Sequence, residues 1–280
     1  MSRLPTEPLA PMQILFHGLE LGASSFSKLF MGTTLMGVVA LLPTLDTAMR
    51  LGNDELTPER MLAIFGWRWL LVELLSIALA LLVQAFLITR IDGLAREDRV
   101  DTHAEWQNSL RAWLPLFLAF LLCVGILIAA CIMGAIAGLV TGLLATILAG
   151  KAGFASGFLV GVFAAVIFVV IYLLFIQYFV VLERKGPVES FNLSFNLVRG
   201  HWWHTFQVLL MLLVVIVGIS LLCAIPLAAV SDLGDGVQTG RSLLERGVFE
   251  MVGSALLGPF LFSIVYLQYL DLKLRKPSVP

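Results

Sequence analysis

The chain has 280 residues, of which 59% are hydrophobic and only 13% charged, with a formal net charge of -1. A soluble domain carries roughly 25% charge, so a chain this apolar cannot cover itself with a water-facing surface and must meet lipid over most of its length. It holds no basic tract, which excludes nucleic-acid binding as a class and leaves membrane lipids as the expected partners.

The chain opens with Pro5, Glu7, Pro8, Pro11 and Glu20 ahead of its first long apolar run, which is not the pattern of a cleaved signal peptide. Within that stretch Met12, Leu15, Phe16, Leu19 and Phe26 fall on one side of a helix. About 20 apolar residues cross the hydrocarbon core as a helix. That rule predicts spans near 29–48, 68–89, 114–134, 159–182, 206–228 and 249–270. Trp67, Trp69, Trp113 and Trp202 lie at predicted ends, where amphipathic rings prefer to sit.

At and beyond the end of the first span come Asp46, Arg50, Asp54, Glu55 and Glu59, and Thr57-Pro58-Glu59 starts the helix entering the second. Asp46 and Arg50 are four apart and can pair on one helix. Glu73 and Glu250 sit about one turn inside their spans, within reach of Arg68. These five residues, Asp46, Arg50, Arg68, Glu73 and Glu250, form either interfacial ion pairs or a polar vestibule that admits a headgroup or solute.

The second interfacial segment begins Thr102-His103-Ala104-Glu105, the spacing of a capping box, and presents Trp106, Leu110 and Trp113. From Trp113 to Gly150 the chain is almost without charge. Wholly helical, it would run about 55 Å at 1.5 Å per residue, beyond a core of about 30 Å. Gly134, Gly138 and Gly142 recur every four residues, and after a turn at Gly150-Lys151 so do Gly153, Gly157 and Gly161. Small residues four apart let helices approach closely. The segment is either a tight helical hairpin, tilted or extended past the lipid, or a re-entrant hairpin lining a cavity.

The third interfacial segment starts at Gly186-Pro187, with proline in the first turn, and carries Val188, Phe191, Phe195, Val198 and Trp202 at helical spacing. Asp232-Leu233-Gly234-Asp235-Gly236 lacks the oxygen ligands of a calcium loop and reads as a turn. Cys123, Cys131 and Cys223 sit in apolar runs without a CxxC pair, and His17, His103, His201 and His204 make no complete ligand cluster. No metal or cofactor is expected. There is no GxSxG, P-loop, dinucleotide fingerprint or HExxH, so no enzymatic activity is expected.

Three segments read alike: Gln84-Ala85-Phe86 leading to Arg90 and Gly93, Gln177-Tyr178-Phe179 leading to Arg184 and Gly186, and Gln268-Tyr269-Leu270 leading to Arg275 and Pro277. Gln84, Gln177 and Gln268 either hydrogen-bond between helices or form a polar ring around an axial cavity. The pattern predicts one transmembrane domain over 1–280, built from an interfacial helix and two spans used three times, near 8–92, 93–185 and 186–276. Three units pointing the same way give a pseudo-threefold bundle about the membrane normal. With a cytoplasmic N-terminus, twelve Lys and Arg fall inside and six outside, which favours both termini inside and amphipathic helices on the cytoplasmic face.

The stretch from Glu183 to Trp203, with Gly186, Ser190, Ser194, Leu197, Gly200 and Trp202, resembles the YciC-like family of bacterial inner-membrane proteins. It is also similar to the membrane domain that precedes the catalytic domain in some glycerophosphodiester phosphodiesterases. The chain departs from them at Asn192 and Asn196, where arginine is common, and in its long Gly-rich insertion. No phosphodiesterase catalytic domain is present, so that activity does not carry over. The resemblance implies an inner-membrane protein of the bacterial envelope. Together these readings define an all-α polytopic bundle. The expected role is a non-enzymatic factor in envelope or lipid homeostasis, moving or sensing phospholipid. The alternative is a small-solute transporter or channel, which needs a polar route from Glu73 and Glu250 to Gln84 and Gln177.

Overall fold

In a computed structural model of the chain, residues 5–52, 57, 59, 64–96, 101–230 and 239–276 are described, without the side chains of 148, 149, 152, 220 and 222–230. Arg3, Asp54, Glu55, Pro58, Arg60, Arg99, Pro277 and the expected turn at 232–236 lie outside the described residues, as does the side chain of Cys223.

Eight helices account for the described chain, and no strand occurs among the described residues. They are α1 (Pro11–Ser24), α2 (Phe26–Leu51), α3 (Trp67–Arg96), α4 (Thr102–Leu173), α5 (Ile176–Leu182), α6 (Pro187–Val198), α7 (Trp202–Val230) and α8 (Gly240–Arg275). Six segments are long and apolar enough to cross a bilayer: Phe26–Leu51, Trp67–Arg96, Thr102–Ile147, Gly153–Leu182, Trp202–Ile219 and Gly240–Arg275. Each contains most or all of one predicted span.

Local chemistry explains the helix starts. Pro11 occupies the first turn of α1, and the Gln13 side chain accepts the Ala10 N–H at 2.9 Å. Pro187 does the same for α6, with Glu189 in the favourable first turn. The start of α4 departs from the expected capping box. Asp101 is the residue that caps it, its Oδ1 accepting the N–H groups of His103 and Ala104 at 3.1 and 3.2 Å. Glu105 is thereby released for a tertiary partner.

The junctions between interfacial helix and span differ. A break at Ser25 separates α1 from α2, and Gly200, at φ 90, separates α6 from α7. Between them, α4 runs through Pro115 without interruption, so the expected second interfacial helix and third span are continuous. The helical run reverses at Gly150, whose φ of 57 is a left-handed conformation open to glycine at little cost.

The chain falls into two units, Met1–Trp113 with Gln207–Asp271, and Leu114–Phe206 with Leu272–Pro280. The core of the first is built from Leu29 of α2, Phe86, Leu87, Ile88 and Ile91 of α3, and Ile264, Tyr266 and Leu267 of α8, all buried. Phe175, Ile176, Tyr178 and Phe179 supply the core of the second, with Leu197 of α6.

Each interfacial segment rests on a span. Gly18 of α1 faces α8 so closely that a Cβ there would lie 2.5 Å from Ile264 Cγ1. On α4, Trp106 meets Phe86 of α3 edge-on at 5.9 Å, and Trp113 Nε1 donates to the Ala78 carbonyl at 2.8 Å. On α6, Ser194 Oγ donates to the Tyr172 carbonyl at 2.6 Å and Phe195 stacks on the Tyr172 ring. The buried positions share one register: Ile14, Gly18 and Leu21; Glu105, Ser109 and Ala112; Ser190, Ser194 and Leu197.

Two prolines inside spans are accommodated by the neighbouring helix. Proline lacks an N–H and leaves the carbonyl four residues earlier without its helical donor. Pro43 does this to Val39 and Pro259 to Ala255. Ser76 Oγ of α3 donates to the Val39 carbonyl at 2.8 Å, and Thr33 Oγ1 of α2 donates to the Ala255 carbonyl at 3.1 Å. In lipid no water can serve these oxygens, so a hydroxyl from the adjacent span is the available donor.

Candidate functional site

The sequence-derived polar residues separate into distinct groups. At the end of α2, Asp46 accepts two cations: Arg50 Nη2 at 2.7 Å and Arg68 Nη2 at 3.2 Å. Arg50 also donates from Nη1 to the Ile64 carbonyl at 3.1 Å. Asp46 and Arg50 pair as their spacing predicts. Arg68 turns to Asp46 rather than to either glutamate. Glu73 is half-buried and Glu250 exposed, and neither makes an ion pair among the described residues. Three of the five vestibule candidates therefore meet.

Of the three glutamines, Gln268 is buried, while Gln84 and Gln177 are half-buried. Gln84 and Gln268 belong to the first unit and Gln177 to the second.

Further along α3 lies a polar group that the sequence alone did not assemble. Arg90 and Glu105 are both buried, with Arg90 Nε 3.8 Å from Glu105 Oε2 and the guanidinium 5.1 Å from the centroid of the Phe86 ring. Two residues on, Asp92 accepts the Tyr266 hydroxyl at 2.6 Å and Arg96 Nε at 2.7 Å. Asp271, wholly buried, accepts the Leu9 N–H at 2.6 Å. Glu105 carried a sequence signal: it shares a helix face with Ser109 and Ala112, where a carboxylate needs a buried cation.

The six glycines of the insertion lie along the two arms of α4. A Cβ on Gly161 would sit 2.6 Å from Gly138 Cα, and one on Gly142 2.9 Å from the Phe154 carbonyl. Gly134 faces Val162 and Ala165, Gly157 faces Thr141 and Gly142, and Gly153 is buried. Thr141 Oγ1 bridges the arms by donating to the Gly157 carbonyl at 2.7 Å. Both arms are helical throughout, so the glycines serve close packing between them.

Further along the same arms is a groove of about 540 Å³. Its walls are Ile126, Ala129, Ala130 and Met133 on one arm and Ala164, Ala165, Phe168 and Val169 on the other. Every wall is apolar, and the groove is shallow and broadly open. It brings no titratable group together, and its lining offers apolar contact alone.

At the far end of the second unit, Lys273 Nζ meets Glu183 Oε1 at 2.7 Å and Lys185 Nζ meets Glu189 Oε1 at 2.8 Å. The hydrogen bond to Glu189 raises the Lys185 pKa above the usual lysine value. No group of three His, Cys, Asp or Glu suited to a metal occurs among the described residues.

Six apolar helices of bilayer-crossing length, with exposed Leu, Ile, Val and Phe along them, define a multi-pass α-helical membrane protein. The chain belongs to the family described as a domain of unknown function (DUF7847), which matches residues 70–272. No curated protein matches the chain, and no solved structure does.

Proposed function

We propose that the protein is a non-enzymatic phospholipid-handling factor of the bacterial inner membrane, moving or sensing lipid as part of envelope homeostasis. The groove between the two arms of α4 carries this reading. Its walls are wholly apolar and it is broadly open, at residues within the bilayer-crossing segments. An acyl chain gains dispersion contact there without stranding any polar group.

The docked interfacial segments support the same reading. Each buries an equivalent triplet, and each rests on the span before it, with α8 serving α1. This pattern favours the interfacial-helix, span, span repeat used three times. Beyond the buried triplets, Phe16, Leu110 and Val188 stay exposed, as residues bound for a headgroup boundary would. The excess of Lys and Arg favours both termini in the cytoplasm. The likeness to YciC-like proteins supports the inner membrane.

Reconstitution tests the proposal. Liposomes holding the purified protein should redistribute a fluorescent phospholipid between leaflets faster than protein-free liposomes, or the protein should bind that lipid saturably. Neither effect at any protein density would overturn it.

A further inference from the structure

Between Arg111 and Glu183 the sequence carries a single charge, Lys151. The two helical arms on either side of it are longer than a bilayer core is thick. Gly153–Leu182, with 30 residues, measures about 45 Å at 1.5 Å per residue. The arm from Leu114 to Ile147 measures about 50 Å by the same rise. The core is about 30 Å, and an average tilt of about 20° shortens either arm by only a few ångström. About twenty residues fill the core. Counted from Leu114 they end at Met133, and counted back from Leu182 they end at Phe163. Gly134 lies against Val162, so both counts stop at one level. Residues 134–162 therefore stand beyond the core, on the side away from Arg111 and Glu183.

The surface of this projecting part does not change to suit water. Thr141, Thr146 and Ser156 donate their hydroxyls to the carbonyls of Gly157, Gly142 and Gly153 at 2.7, 2.8 and 3.0 Å. The glycine face is taken up by contact between the arms. On the opposite face of the first arm, Ile136, Val140, Leu143 and Ile147 follow at intervals of four, three and four. They are exposed at 54%, 57%, 64% and 81%. Their spacing is that of the a and d positions of a coiled-coil seam.

We propose that residues 134–162 are a self-association surface, on which the projecting hairpins of two copies pack side by side as a four-helix bundle, seam against seam. Lipid tails end below this level, so the hydrocarbon that covers these side chains has to come from protein. Geometry selects a second copy. Two copies inserted the same way raise identical hairpins to one height, and their equivalent arms run parallel about a twofold axis along the membrane normal. Seams with β-branched residues at a, here Val140 and Ile147, and leucine at d, here Leu143, favour parallel two-stranded pairing. No charge lies along the seam to oppose the contact, and Lys151 at the turn is exposed. The groove at 126–133 and 164–169 lies at core depth, clear of this surface, and the inference does not depend on lipid handling.

The test uses the full chain in liposomes, with Cys123, Cys131 and Cys223 replaced by alanine. Ile136→Cys, Leu143→Cys and Ala145→Cys are made singly and oxidised in the membrane. The first two should form disulfide-linked dimers, and Ala145→Cys, on the helix face opposite the seam, should not. Energy transfer between labelled copies, followed as the protein is diluted in lipid, gives the dimer affinity. Leu143→Lys should weaken it by at least about ten-fold, because like charges would be buried against each other across the axis. Monomers at every dilution, crosslinking as strong at Ala145→Cys as at Leu143→Cys, or association unaffected by Leu143→Lys would overturn the inference. So would a chain that stays monomeric alone and pairs only with another membrane protein. Should Leu143→Lys fail to fold, the cysteine pattern decides.

Discussion

The Thr33 hydroxyl donates at 3.1 Å to the carbonyl of Ala255, the oxygen that Pro259 deprives of its own helical donor. Ser76 stands in the same relation to Val39 and Pro43. The two bonds join α2 to α8 and α3 to α2, so each proline becomes a point of attachment between spans instead of a defect.

That relationship predicts a dependence between residues 226 positions apart. Thr33→Val should destabilise the protein in detergent by about 0.6–1.7 kcal/mol, the range for hydrogen bonds between membrane helices. In a Pro259→Ala background the Ala255 carbonyl regains an N–H, and the cost of Thr33→Val should shrink toward zero. Reversible unfolding of the four proteins in a double-mutant cycle checks this; equal costs in both backgrounds would refute it.

The arms of α4 should tolerate bulk according to position. Gly161→Val places a Cβ against Gly138 and should cost about 1–3 kcal/mol through overpacking. Gly125→Val, on the same helix where a Cβ meets nothing within 4 Å, should leave the melting temperature unchanged or slightly raised. Thermal unfolding of both variants in one detergent makes the comparison.

Breaking the Arg90–Glu105 pair should cost more than removing it. Both side chains are more than nine-tenths buried. Arg90→Met alone strands a carboxylate and Glu105→Leu alone strands a guanidinium, each expected to cost about 3–5 kcal/mol, while the double variant should lie close to the unaltered protein. Denaturant midpoints of the three variants are the readout, and an additive double variant would contradict the pairing.

Six spans return the chain to the side on which it started. In a background lacking Cys123, Cys131 and Cys223, cysteines introduced at Glu20 and Glu189 should be protected from an impermeant maleimide in intact cells. A cysteine at Lys151 should be labelled. Labelling of all three alike would contradict the proposed orientation.

The spans could be read from the sequence because their cause is local. An apolar run of bilayer length must hydrogen-bond its own backbone wherever it sits, so α2, α3 and α8 need no partner to be helices. The start of α6 was legible for the same reason, through Pro187. The glycine ridge was legible as a pattern, since four-residue spacing sets one helix face. The capping box at Thr102 misled: Asp101 lies one residue earlier and caps the helix, leaving Glu105 to turn inward.

Sequence alone therefore determined that this chain is a bundle of six apolar helices with amphipathic segments before three of them, because backbone desolvation and periodicity act within each segment. Only the tertiary structure decided that Thr33 serves Ala255, that Arg68 turns to Asp46, and that Lys273 and Lys276 bring the last helix to Glu183 and α6. Each of those pairings depends on how segments far apart in the chain are rotated and stacked. A polar group in an apolar surrounding binds the partner that packing brings within 3 Å or so, and sequence spacing carries no record of that distance.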